Sequence, residues 1–151
     1  MANLCTVEEY KLYKKIEHNK DDEQLKSLVS SVSALVKTYT GNSIIDYAQA
    51  DKVETFDITD NYTSELFLTE SPLISVAALQ ERDSIADSYT TLTADEHYYV
   101  DKEHDRIYRI DGDSSTKNFP KGFASVKATY RAGYLSCPDD LKLAVYDLIT
   151  Y

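Results

Sequence analysis

The clearest periodic signal in the chain runs from Leu25 to Tyr39. Leu25, Leu28, Val29, Val32, Leu35, Val36 and Tyr39 recur at offsets of three and four, which sets them along one face of a helix. Asp21 and Asp22 precede the run with carboxylates suited to the positive end of a helix dipole, and Gly41 follows as a stop. A helix is expected over roughly 21–40. An earlier one, roughly 6–17, opens with Thr6-Val7-Glu8-Glu9, a capping box in which Thr6 and Glu9 satisfy each other's backbone N–H groups. Leu12, Tyr13 and Ile16 supply its apolar stripe, and His18-Asn19-Lys20-Asp21 breaks it with turn chemistry.

The period changes to two between about Lys52 and Arg131. Phe56 and Ile58 alternate with Thr55 and Asp57, while Leu66 and Leu68 flank Phe67. Ile74, Val76 and Ala78 form one face of a strand that begins after Pro72. Segments 97–101 and 106–110 bracket Lys102-Glu103-His104-Asp105, which reads as a hairpin turn. Ala124, Val126, Ala128 and Tyr130 alternate with Ser125, Lys127 and Thr129 in the last strand. Helical spacing returns at Leu141, Ala144, Val145, Leu148 and Ile149, behind Ser136 as a cap and Pro138 in the first turn. This third helix is expected over roughly 138–151, and its pattern is still running at Tyr151, so either the chain is longer or the helix ends against a partner.

The expected fold is therefore α+β in one domain. Helices from both chain ends pack as a bundle around an inserted antiparallel β-sheet or small β-sandwich of five or six strands, roughly 52–131.

Charge narrows the function. With 26 acidic and 16 basic residues the chain carries −10, and no basic block offsets that. Such a chain repels a phosphate backbone and an anionic membrane, so neither sequence-specific DNA binding nor membrane attachment is expected. No apolar run approaches a membrane span, and the N-terminus lacks a secretion signal, which implies a protein made in a cytoplasm. Cys5 and Cys137 lie near opposite ends, outside any C-x-x-C spacing, and read as reduced packing residues.

Catalytic and cofactor motifs are weak. His18, His97 and His104 fall at turns and a strand start, without a nucleophile at a recognisable spacing, and read as solvated turn residues. Asp111-Gly112-Asp113-Ser114-Ser115 begins like a calcium loop, but Thr116 stands where the glycine belongs and Gly122 where the bidentate Glu belongs. A surface turn is the better reading, and Asp111 and Asp113 would be the best candidates only if acidic residues made a hydrolase. No glycine-rich phosphate cradle occurs. No cofactor, metal or enzymatic activity is expected.

Tyrosine is the unusual component: 13 Tyr against 4 Phe and no Trp. A phenol combines contact area with a polar tip, which suits interfaces. Tyr108 and Tyr130 read as strand-face fillers, whereas adjacent Tyr98 and Tyr99 must point to opposite sides of their strand. An outward ring there would serve a protein or sugar contact, so a small tyrosine-rich carbohydrate- or peptide-binding module is the alternative function.

Two stretches together resemble a known family. The first is T-V-E-E-Y-K-L-Y-K-K-I, a turn ending K-D-D-E-Q-L, and a long helix closing on Val36-Lys37-Thr38-Tyr39-Thr40-Gly41. The second is Val126-Lys127-Ala128-Thr129-Tyr130-Arg131-Ala132-Gly133-Tyr134, followed by Cys137-Pro138-Asp139-Asp140-Leu141-Lys142 and a helix. In this order, with Pro72-Leu73-Ile74-Ser75-Val76 opening the β insertion, they resemble the head–tail connector (head-completion, adaptor) proteins of tailed bacteriophages.

The resemblance implies a non-enzymatic virion protein of the head–tail neck, assembled in the host cytoplasm. It implies a homo-oligomeric ring of about twelve copies below the portal protein. The ring would meet the next tail or tail-completion protein and let DNA pass without specific binding. In such a ring the polar positions of the second helix and the third helix would meet neighbouring copies, and the hairpin Lys102, Glu103, His104 and Asp105 would reach toward the adjoining ring. Tyr98, Tyr99, Tyr146 and Tyr151 complete the expected interface residues.

Overall fold

The computed structural model describes residues 2–151, an α+β chain with three helices and seven strands among them. Two compact units result: residues up to Asp46 with Tyr134–Tyr151, and Tyr47–Gly133.

The first unit holds all three helices. Helix α1, Val7–Lys14, starts with the expected capping box: Thr6 Oγ1 accepts from Glu9 N–H at 3.1 Å, and Glu9 Oε2 accepts from Thr6 N–H at 2.8 Å. It ends earlier than its apolar pattern implies, because Lys15 turns left-handed at φ 58°. Its stripe also differs from expectation: Tyr10 is the buried residue, and Leu12 points to solvent.

Helix α2, Asp22–Thr40, closes at Gly41, whose φ of 67° is the left-handed geometry that glycine adopts without strain. Leu25, Val29, Val32 and Val36 are buried as expected, but Leu35 and Tyr39 are exposed. Helix α3, Asp139–Thr150, takes Pro138 as its N-terminal cap, with no side-chain cap bond, so Ser136 does not serve that role. Val145 and Ile149 of α3 join Leu4, Cys5, Tyr10 and the buried face of α2 in one apolar cluster drawn from both chain ends.

The second unit holds two antiparallel sheets. In the first, β1 (Lys52–Ile58), β7 (Gly122–Ala132), β3 (Leu73–Glu81) and β4 (Thr90–Thr91) lie in the order β1-β7-β3-β4. In the second, β2 (Glu65–Phe67), β6 (Arg106–Arg109) and β5 (Tyr98–Asp101) lie in the order β2-β6-β5. Leu66, Tyr98 and Ile107 from the smaller sheet share a core with Leu73, Leu79, Val126, Ala128 and Tyr130 from the larger one. The strand count exceeds expectation because β4, at two residues, is too short to carry a periodic signal.

Strand β3 does not follow simple alternation. Its pairing with β7 shifts register between Leu73 and Ser75 and again between Val76 and Ala78. Each shift adds one unpaired residue, so Leu73, Val76 and Leu79 stand opposite Ala132, Tyr130 and Ala128. The inward set is thus Leu73, Val76 and Leu79, in place of Ile74, Val76 and Ala78. In β7 the expected alternation runs from Val126 to Tyr130, but Ser125 is buried too, beside Ala124 with its left-handed φ of 47°.

Candidate functional site

The residues singled out from the sequence scatter over distinct settings. Tyr98 and Tyr99 split as the pleat requires, but Tyr98 is buried in the core of the second unit. Burial first, then the charge of Asp95, pushes its phenol pKa up. That placement removes Tyr98 from the candidate contact residues, and Tyr99 alone faces outward.

Lys102, Glu103 and His104 form the exposed tip of the β5–β6 hairpin, with His104 Nδ1 2.9 Å from Asp101 Oδ2. Asp105 faces inward instead. Its φ is 56°, and its Oδ1 accepts from Leu73 N–H at 2.7 Å, anchoring the turn to the start of β3. Tyr146 stacks on Tyr13 at 4.8 Å between centroids and is partly buried, whereas Tyr151 is fully exposed.

The other candidates are occupied locally. Asp113 Oδ1 accepts from the Ser115 backbone N–H and hydroxyl at 2.9 and 2.5 Å, a self-contained turn whose hydrogen bonds hold the carboxyl below its ordinary range. Among the described residues, no group of three or more His, Cys, Asp or Glu is placed to hold a metal ion. His97 Nδ1 accepts from Thr93 N–H at 2.9 Å. Cys5 and Cys137 are free and buried, and burial, with Glu9 next, pushes the Cys5 thiol up to about 11. No described helix is long and apolar enough to cross a membrane.

Two of the surface concavities are lined by aromatic or apolar side chains. One is a cleft of about 370 Å³ on the smaller sheet, lined by Asp95, Tyr99, Tyr108, Ile110, Ser114 and Thr116. The Tyr99 and Tyr108 rings lie 6.4 Å apart across the β5–β6 pair. Only Tyr99 was foreseeable, from its place beside Tyr98; the rest converge through pairing and loop return.

The other is an apolar groove of about 390 Å³ in the helical unit, between α2 and α3, lined by Leu35, Val36, Tyr39, Leu141, Ala144 and Leu148. Tyr39 is 89% exposed and Leu35 57%, in a chain with a net charge of −10. Contiguous exposed apolar surface makes this groove a candidate docking place. Every one of these residues belongs to a helical stripe visible in the sequence. Periodicity marks the stripe but does not say which part the chain itself covers.

A sequence model of the head completion protein family matches residues 3–151, almost the whole chain. The chain belongs to the head completion protein family. Membership covers both units, so the helices and the sheets are parts of one family architecture, and the connector resemblance of the opening and closing motifs is borne out.

Solved structures share the fold at low identity. A chain from the neck of an empty gene transfer agent particle, computed with C6 symmetry, superposes with a TM-score of 0.67 at 19% identity, covering 97% of this chain and 75% of that one. A chain from the neck of the native particle, computed with C12 symmetry, gives 0.62 at 20% identity, covering 95% and 73%. A chain of the native gene transfer agent virion gives 0.66 at 18% identity, covering 97% and 76%. No curated protein sequence matches this head completion protein significantly.

Proposed function

We propose that this head completion protein is a structural component of the head–tail neck of a phage-like virion, working as a ring. The observation that carries the reading is the family match across residues 3–151. Both units then serve as a single connector module. The shared fold with chains from necks of sixfold and twelvefold symmetry supports a closed ring, since cyclic assembly uses one heterologous contact repeated around an axis. The ring sits below the portal, adjoins the next tail or tail-completion protein, and continues the DNA channel. Its acidic balance suits a passage that DNA traverses without sticking, because phosphate binding needs clustered cations. The protein performs no chemistry; its work is docking, with the exposed hairpin tip Lys102–His104 and the exposed Tyr151 side chain available for neighbouring layers.

The test is co-assembly with the cognate portal protein, followed by sedimentation and electron microscopy of the product. A ring of this protein stacked on the portal is the expected outcome. Failure of the two proteins to co-sediment over a range of salt and concentration would overturn the reading.

The Tyr99–Tyr108 cleft favours a second reading, a module that grips a sugar or peptide. Two phenol rings with Asp95, Ser114 and Thr116 at the margin can stack on a ligand and hydrogen-bond to it. A glycan array with no binder would remove the carbohydrate form of this reading.

A further inference from the structure

We propose that the Tyr99–Tyr108 cleft is a socket for a cationic side chain, an arginine carried by a neighbouring polypeptide. This rests on the second reading of that cleft, in its peptide form, and names the group that is gripped.

Strand pairing builds the floor of the socket. Tyr99 on β5 and Tyr108 on β6 stand directly opposite one another in the antiparallel pair, so their rings share the outward face of the smaller sheet. Their centroids are 6.4 Å apart and their planes 32° from parallel. A cation resting over the pair comes within about 6 Å of both centroids, the reach over which an electron-rich ring attracts positive charge. Loops bring the remaining wall. Asp95 and Ser114 both adopt left-handed backbone, with φ of 65° and 70°. Each is pinned in place: Asp95 N–H donates to the Tyr98 carbonyl at 2.8 Å, and Ser114 N–H to the Asp111 carbonyl at 2.9 Å. A bridge between Ile110 and Thr116 holds those two lining residues together.

Charge decides what fits. The Asp95 carboxylate makes no ion pair or hydrogen bond among the described residues, and the Ser114 and Thr116 hydroxyls are likewise unengaged. Segments 95–99 and 108–116, which supply the lining, also carry Glu96, Asp111 and Asp113. Their only Arg or Lys is Arg109, which is buried and committed to Glu81. Arg106 shares the outward face with Tyr108, but it lies over the Phe67 ring at 4.8 Å and 3.6 Å from Glu65, and it does not line the cleft. An uncompensated carboxylate beside two phenol rings is chemistry that recognises a cation. An anion is repelled there, and a neutral sugar offers the carboxylate no opposite charge. Guanidinium suits the site better than ammonium, since its plane stacks on aromatic rings while its N–H fork meets a carboxylate. The cleft, about 370 Å³, is near the lower end of the about 300–1,000 Å³ typical of small-ligand sites, which suits a single side chain.

The test titrates the isotope-labelled full chain with capped tripeptides and reads backbone amide shifts by NMR, at low ionic strength where exposed charges are least screened. The peptide acetyl-Gly-Arg-Gly-amide should give saturable shifts centred on Asp95, Tyr99, Tyr108, Ser114 and Thr116, and added salt should weaken its binding. Asp95→Asn and Tyr99→Leu, both at exposed positions, should each weaken the affinity about two- to fivefold while the rest of the spectrum stays unchanged. Equal affinity for the arginine peptide in wild type and Asp95→Asn overturns the cation socket and leaves a peptide site standing. Equal binding of the neutral acetyl-Gly-Gln-Gly-amide by wild type does the same. Shifts of these residues by methyl glucoside, with the arginine peptide silent, overturn it in favour of a sugar. No shift from any of the three probes overturns the socket and the second reading together, while the neck reading, tested on the portal, stands apart from every one of these outcomes.

Discussion

Arg109 and Glu81 form a two-pronged ion pair that ties the two sheets of the second unit together. Arg109 Nε and Nη2 donate to Glu81 Oε2 and Oε1 at 3.0 and 2.9 Å, and Nη1 donates to the carbonyls of His97 and Ile110, both at 2.8 Å. Arg109 lies on β6 in the smaller sheet and Glu81 on β3 in the larger, with the arginine buried. Parallel donors from a rigid guanidinium fix relative placement as well as attraction. Removing one partner leaves the other charge poorly solvated, so Arg109→Ala should cost about 3 kcal/mol in urea unfolding. Arg109→Lys should recover only part of that loss, because one ammonium cannot reproduce the fork. Equal stability of wild type and Arg109→Ala would show that the sheets are held by apolar packing alone.

A second polar anchor sits at the opposite side of β7. The Tyr130 hydroxyl donates to Glu54 Oε2 at 2.6 Å and accepts from Glu70 N–H at 3.3 Å, while Lys52 Nζ reaches Glu70 Oε1 at 3.2 Å. The Thr69 hydroxyl also donates to Glu54. Burial first, then the Glu54 hydrogen bond, pushes the Tyr130 phenol well above its ordinary pKa.

Tyr130→Phe keeps the ring packing and deletes both hydrogen bonds, and should destabilise by about 1–2 kcal/mol. In an alkaline absorbance titration, Tyr130 should ionise only as the fold is lost. Its ionisation alongside the exposed tyrosines in a still-folded protein would contradict the assigned network.

Much of the helical architecture is local chemistry, and so was legible. The Thr6–Glu9 box, the Gly41 stop and the Lys102–Asp105 turn each depend on residues within a few positions of one another. What was hidden depends on distant partners. No local signal links Glu81 to Arg109, or Tyr130 to Glu54. Leu35, Tyr39 and Leu148 read as core because amphipathic spacing is the same whether a stripe is covered by its own chain or left open. The Tyr98–Tyr99 split followed from strand parity, but the cleft around Tyr99 needs Tyr108, Ser114 and Thr116 from later segments.

The two register shifts in β3 give that contrast a direct test. Simple alternation assigns Ile74 to the core and Leu79 to the surface; the pairing with β7 does the opposite. Leu79→Ala should cost about 3 kcal/mol, as for a fully buried leucine whose cavity cannot collapse. Ile74→Thr should stay within about 0.5 kcal/mol, as expected of an exposed strand position. Chemical denaturation of the two variants side by side decides the matter, and the reverse order of losses would restore uninterrupted alternation.

The Glu9–Lys142 pair links α1 to α3 and has a pH signature of defined sign. The Lys142 hydrogen bond is the main cause that holds the Glu9 carboxyl below its ordinary pKa, and the same contact raises the Lys142 ammonium. A lowered acid stabilises the fold above its unfolded value and loses that contribution as pH falls through the folded value. A raised base stabilises below its unfolded value and loses it as pH climbs through the folded one. The pair therefore contributes across the neutral range and fades at both extremes.

Both side chains are partly solvated, which limits the coupling to about 0.5 kcal/mol. Glu9→Gln isolates it, because the amide oxygen can still accept from Thr6 N–H and so preserve the cap. Between about pH 6 and pH 3, wild-type stability should fall toward that of Glu9→Gln. A gap between the two proteins that stays constant over this range would assign the contribution of Glu9 to the cap alone.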